Sequence, residues 1–99
     1  MPLSNNQIRH LRGLAHPLKP VVMVGQHGLK DSIIAEVEIA LDVHELIKLK
    51  ISVGDREARD EIIGKIVDQA GAELVQRIGN TAVLFRRNPE APRVALPAK

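Results

Sequence analysis

The clearest pattern in the chain is the strict alternation of "IKLKISV". Ile47, Leu49, Ile51 and Val53 fall on one side, and Lys48, Lys50 and Ser52 on the other. A period of two is that of a half-buried strand, whose apolar side packs on helices and whose lysines turn to water. Elsewhere the spacing is three or four. Ser4-Asn5-Asn6-Gln7 has the form of a capping box, in which the Ser4 hydroxyl accepts from the Gln7 amide while Gln7 reaches back. Ile8, Leu11 and Ala15 follow at helical spacing, and Pro17 halts that helix. Val21 to Val24 is apolar at every position and reads as a short strand buried on both faces. A helix from near Leu29 carries Ile33, Val37, Ala40 and His44 in its stripe, with Ile34 and Leu41 widening it. Asp31, Ala35, Glu38, Asp42 and Glu45 lie opposite as an acidic outer face, and Ile39 sits off the stripe as an exposed apolar residue.

Asp55 is the natural N-cap of a third helix with Ala58, Ile62, Ile66 and Ala70 as its stripe, and Gly71 suits the left-handed position after its last turn. "ELVQRI" and "TAVLFRR" read as strands joined by Gly79-Asn80, a two-residue hairpin signal. The order αβαβαββ predicts an α/β fold with a four-stranded mixed sheet. Strand–helix–strand units give parallel pairing, the final hairpin an antiparallel pair, and the helices lie mainly on one sheet face. Residues 1–87 are expected to form a single domain, and 88–99, with Pro89, Pro92 and Pro97, a flexible basic Pro-rich tail.

Composition removes several classes of function. At 99 residues, with 44% hydrophobic and 26% charged, the chain is an ordinary globular domain. It has no cysteine, which excludes disulfides and thiolate catalysis and fits a reducing cytoplasm. No apolar run approaches a membrane span, and Ser4 to Gln7 is too polar for a secretory signal. Phe85 is the one aromatic residue, so base stacking on aromatic platforms is nearly excluded. The net charge is only +2, but it is segregated. Met1 to Lys30 holds Arg9, Arg12, Lys19 and Lys30 and no acid. Asp31 to Glu45 holds five acids and no base. Gln76 to Lys99 is again basic, with Arg77, Arg86, Arg87, Arg93 and Lys99 against Glu90. One positive side is a possible footprint for nucleic acid, and a merely solvated surface is the alternative.

Candidate chemistry centres on "VGQHGLK". Two glycines at a strand-to-helix junction serve either a turn that needs positive φ or a ligand that presses against the backbone. The helix that follows offers free amides and the positive end of its dipole, which suit a phosphate. Gly25 and Gly28 would let a sugar-phosphate chain approach, with Lys19 and Lys30 as counter-charges on either side. A G-x-x-G loop clamped on nucleic-acid backbone is the device of KH domains. Neither G-x-x-x-x-G-K-[ST] nor G-x-G-x-x-G is present, so nucleotide loops do not compete.

"LRGLAHPLKPVVMVGQHGL", "EIALDVHELIKLKI" and "AELVQRIGNTAVLFRR" resemble the successive blocks of the YhbY family, the stand-alone bacterial CRM (chloroplast RNA splicing and ribosome maturation) domains. The likeness runs from Leu3 to Arg87. It implies an RNA-binding α/β fold similar to the C-terminal domain of translation initiation factor three, and association with rRNA in precursors of the large ribosomal subunit. The family's loop falls on Gly25, Gln26, His27 and Gly28. Its preceding segment falls on Arg12, Leu14, Ala15, His16, Leu18, Lys19 and Pro20, with Gly13 interposed. Many members carry a basic residue within the loop; here Gln26 is neutral, so affinity leans on Lys19 and Lys30.

The expected RNA contacts are Gly25, Gln26, His27, Gly28, Lys30, Lys19, Arg12 and Arg9, with His16 either contacting RNA or packing against the loop. Lys48, Lys50, Arg86 and Arg87 form a second surface. His10 and His16 are six apart and do not share a helix face for a metal, and His44 reads as a satisfied, partly buried histidine. No cofactor or metal is expected. The partner expected is RNA, with no membrane and the chain as a monomer; the acidic helix face is most simply solvated, and a docking surface for a basic ribosomal protein, with Ile39 at its edge, is the alternative. A general RNA chaperone is the alternative, and a small enzyme would have His27 as its sole candidate base.

Overall fold

A computed structural model describes residues 3–98. The expected residues Met1, Pro2 and Lys99 of the domain and tail lie outside them. Seven elements follow in the expected order: α1 (Asn5–Ala15), β1 (Val22–Val24), α2 (Asp31–His44), β2 (Leu46–Ile51), α3 (Arg56–Ala70), β3 (Glu73–Ile78) and β4 (Thr81–Phe85). The sheet runs β1-β2-β4-β3. β1 is parallel to β2, and β4 is antiparallel to both β2 and β3, so it is inserted between strands that α3 links. Of the two hairpin residues only Gly79 has positive φ (+56°), the pattern of a turn with glycine first.

Alternation decides the two sheet faces. Ile47, Leu49 and Ile51 of β2, with Ala82 and Leu84 of β4, pack under Val37 and Leu41 of α2 and Ile63, Ile66 and Ala70 of α3. On the other face Leu46, Val75, Val83 and Phe85 are covered by Leu11 and Ala15 of α1. Helices therefore lie mainly on one face, with α1 across part of the other. Caps fix the ends: Ser4 and Gln7 complete the capping box, Asp55 accepts the Ala58 amide, and Gly71 takes the left-handed conformation at φ +62°.

Four expectations are corrected. Val21 and Met23 are 51% and 61% exposed although Val22 and Val24 are buried, because β1 is an edge strand that no helix covers on its outer side. α3 buries Ile63, whereas Ile62 is only partly covered, so its stripe is turned from the expected one. His44 is exposed. Glu45, expected on the outer face of α2, is fully buried.

That last difference explains the C-terminal segment. Instead of a loose tail, the chain after Phe85 turns back along α1. Val94 and Leu96 pack on the Leu11 cluster. The Pro97 carbonyl accepts the Gln7 side-chain amide at 3.0 Å, and a His10 ring nitrogen meets the Ala95 carbonyl at 3.0 Å. Prolines remove backbone donors, and of the amides that remain those of Asn88, Arg93 and Val94 find a buried acceptor in Glu45.

Candidate nucleic-acid interface

β1 ends at Val24, and the chain then folds into a four-residue turn in which the Gly28 amide donates to the Gly25 carbonyl at 3.0 Å. Gly25, Gln26 and His27 are exposed. The two glycines differ. Gly28 has φ +79°, a conformation that a side chain strains, so the turn itself requires it. Gly25 has no positive φ, and a Cβ placed on it would meet nothing within 4 Å. Neither the backbone nor internal packing accounts for a glycine at that position.

α2 begins at Asp31, two residues later than expected, with an extended Lys30 as N-cap and no side-chain cap. The Ile33 and Ile34 amides both reach the Lys30 carbonyl. Asp31 complements the helix dipole from inside the first turn, and by charge it competes with any phosphate there. Lys30, exposed beside it, supplies the counter-charge.

Lys19 does not flank the loop. It precedes Gly25 by six residues, with β1 between them, and lies at the strand's opposite end. There it joins a different set. The Val21 amide donates to the Lys48 carbonyl at 2.9 Å, and Lys48 Nζ donates to the His16 carbonyl at 3.4 Å. His16 is the C-cap of α1, so this ammonium meets the negative end of a helix dipole. Lys48 is accordingly half-buried rather than turned to water. Arg12 Nε donates to the Val75 carbonyl at 3.3 Å, and Arg9 is exposed on α1. Lys50 pairs with Met23 nearer the loop. Lys30 and Lys50 thus lie toward the loop end of β1, Lys19 and Lys48 toward its other end with His16, while Arg12 reaches across to β3.

Arg86 and Arg87 belong to neither group. Arg86 donates to the Ala70 and Glu38 carbonyls at 2.7 and 3.2 Å and meets the Asp42 carboxylate at 2.8 Å. Arg87 meets both Glu45 oxygens, at 3.1 and 3.2 Å, and the Val94 carbonyl at 3.0 Å. Their charges are cancelled inside the fold.

Glu45 is the polar centre that sequence reasoning missed. Its carboxylate accepts the amides of Asn88, Arg93 and Val94 at 2.6, 2.7 and 2.8 Å besides Arg87. Burial pushes its pKa up, but the three amides and the Arg87 guanidinium outweigh that and hold it below the ordinary carboxylate value. Its φ of +62° gives no sequence signal. The one available clue was the complementarity of an acidic segment ending at Glu45 and a basic one containing Arg86 and Arg87. Beside this centre a groove of about 470 Å³ is lined by His10, Leu14, Leu18, His44, Leu46 and Arg93 to Ala95. It does not include the glycine loop.

This fold and turn have relatives. Residues 3–86 match the CRS1 / YhbY (CRM) domain, and the chain belongs to that family. It is similar to a Haemophilus influenzae protein named "RNA-binding protein", 48% identical over 97 residues, 98% of this chain and 97% of the relative. It is also similar to the probable RNA-binding protein YqeI of Bacillus subtilis, 36% identical over 96% of this chain and 99% of that one. The solution structure of a hypothetical Staphylococcus aureus protein superposes with a TM-score of 0.83 at 30% identity, over 97% of this chain and all of the other.

Proposed function

We propose that this chain is a non-enzymatic, cytoplasmic RNA-binding protein that engages rRNA in precursors of the large ribosomal subunit and holds RNA backbone at Gly25 to Gly28. The observation that carries this reading is Gly25, an exposed glycine that neither φ nor packing demands. The absence of a side chain there makes sense if something outside the molecule comes close. The names of the relatives support RNA as that ligand. Lys30 serves the loop, Lys19 and Lys48 with His16 form a second positive group at the other end of β1, Arg9 and Arg12 extend it along α1 toward β3, and Lys50 lies between. Arg86 and Arg87 act as supports, holding the C-terminal segment to Glu45 and α2.

The test is Gly25→Asp beside Gly25→Ala. Anisotropy with a 12-nucleotide single-stranded RNA should show a severe loss for the aspartate and a smaller one for alanine, with both melting like the parent protein. Co-sedimentation with large-subunit precursors in lysate should fall in step. Unchanged RNA affinity in folded Gly25→Asp removes the clamp. RNA binding without co-sedimentation in the parent protein favours a general RNA chaperone.

A further inference from the structure

One row of side chains crosses the whole sheet at the end next to the glycine loop. Register sets Met23 opposite Lys50, Lys50 opposite Thr81, and Thr81 opposite Ile78. The row faces the α1 side, but α1 covers the neighbouring positions Val83 and Phe85 and not these. Met23 and Ile78 are 61% and 62% exposed, while Lys50 and Thr81 are half-buried between them. Three strand spacings of about 4.8 Å separate the ends, a span of roughly 14 Å. No acid stands in the row. Glu73, on the same face, lies at the far end, where its carboxylate accepts the Leu3 amide.

We infer that this row receives the bases of single-stranded RNA whose backbone is held at Gly25 to Gly28, an inference that rests on the RNA-binding reading above. Met23 is two residues before Gly25, so a strand clamped at the loop begins at the β1 end of the row. An unpaired base has an apolar face and polar edges. The Met23 thioether and the Ile78 side chain fit the faces, and sulfur contacts with aromatic rings are favourable. Lys50 supplies a cation for a phosphate or a base carbonyl. The Thr81 hydroxyl donates to the Ile78 carbonyl at 2.8 Å and keeps an acceptor lone pair for a base amine. Bases in a duplex are stacked away from such a surface, so the row selects unpaired segments. Aliphatic contacts read shape rather than base identity, which leaves sequence preference weak.

The experiment compares a mixed-sequence 12-nucleotide RNA with an abasic oligomer of the same length, which keeps the phosphates and lacks the bases. The parent protein should prefer the RNA with bases by about tenfold, the size expected for burying two exposed aliphatic side chains. Met23→Thr with Ile78→Thr puts β-branched residues at both strand positions and should melt normally. It should bind both oligomers alike, with abasic affinity and salt slope unchanged. Gly25→Asp should weaken both, so the abasic arm reads the loop alone and separates failure of the clamp from failure of the row. Three results would overturn the inference: equal parental affinity for the two oligomers, a base preference that survives the double substitution, or a parental dimer that the double substitution dissociates. Lost co-sedimentation with an intact base preference would assign the row to a protein partner and overturn it too.

Discussion

Glu45→Gln tests the centre that holds the C-terminal segment. Glutamine keeps the volume and leaves the positive φ of +62° unchanged, so the variant isolates the carboxylate. The native group accepts three backbone amides at 2.6 to 2.8 Å and one guanidinium. In the variant one oxygen remains, and an NH2 faces at least one amide donor. A buried N–H left unsatisfied costs about 1–3 kcal/mol, and each bond to a charged acceptor that becomes neutral loses part of its roughly 1.5–3 kcal/mol. Arg87 is partly exposed, so its lost partner adds little once solvent screening is allowed for. Were the segment rigid, the sum would exceed 4 kcal/mol. Residues 88–98 lie at the surface, however, and when they peel away their amides reach water. The loss is then capped by what docking contributes, chiefly the half-buried Val94 and Leu96. That ceiling is about 2–3 kcal/mol. For a domain of this size it means a fall of roughly 10–20 °C in Tm.

The assays are thermal unfolding and amide exchange. At neutral pH the Asn88, Arg93 and Val94 amides should lose protection in the variant, while those of β2 and β4 keep theirs. The pH dependence has a definite sign. Because the folded-state pKa lies below the ordinary 4.5, the carboxylate stabilises the fold fully above that value, and the contribution disappears as pH falls through the lower folded value. The gap between parent and Glu45→Gln should therefore close in acid. A variant that melts within 2 °C of the parent, with Arg93 and Val94 still protected, would refute this account of the segment.

The glycines, the salt response and Arg86 give three further expectations. Gly28→Ala should lose about 1–2 kcal/mol of stability without RNA present, because alanine is strained at φ +79°, while Gly25→Ala should melt unchanged; equal melts would contradict the assigned roles. Log affinity against log salt should have a slope that falls by roughly 0.7 for each lysine in true phosphate contact, so Lys30→Ala should reduce it by one such step and a flat parental slope would remove the electrostatic part of the reading. Arg86→Met should lower stability by about 1–3 kcal/mol, since it strips the Ala70 and Glu38 carbonyls and the Asp42 carboxylate of a donor, and RNA affinity should stay within twofold; a selective loss of affinity would return Arg86 to the binding surface.

The sequence carried period far better than it carried cover. Alternation in β2 told which residues share a face, and Ile47, Leu49 and Ile51 are indeed the buried set. It could not tell how far α1 would extend over the other face, and that length decides everything about the lysines. Lys48 falls beside the end of α1 and is drawn to the His16 carbonyl, while Lys50, two residues on, lies in the open row. The run Val21 to Val24 shows the same gap from the other side. Four apolar residues look like a strand buried on both faces, yet Val21 and Met23 emerge at an edge where no helix arrives. The spacing of the loop was legible as well, but not the difference between a glycine the backbone needs and one it does not, because φ is set by the turn as a whole.

Charge was the most misleading signal, and it becomes informative once divided. The basic C-terminal segment looked like part of an RNA surface and the acidic α2 like a solvated face. In the fold they are largely each other's partners, through Arg86 with Glu38 and Asp42 and Arg87 with Glu45. What remains for an outside ligand is the charge the fold does not cancel. Among the described residues Arg9, Arg12, Lys19, Lys30, Lys48, Lys50, Arg59 and Arg93 form no ion pair, and six of these eight come from the first half of the chain, on α1 and around β1 and β2. That subset, rather than the net charge, borders the glycine turn and the open row. A phosphate chain crossing from the turn over the sheet would meet Lys30, then Lys50, then the group around Lys48 and Lys19. It would meet Asp31 only at the helix end, where the dipole already claims that carboxylate.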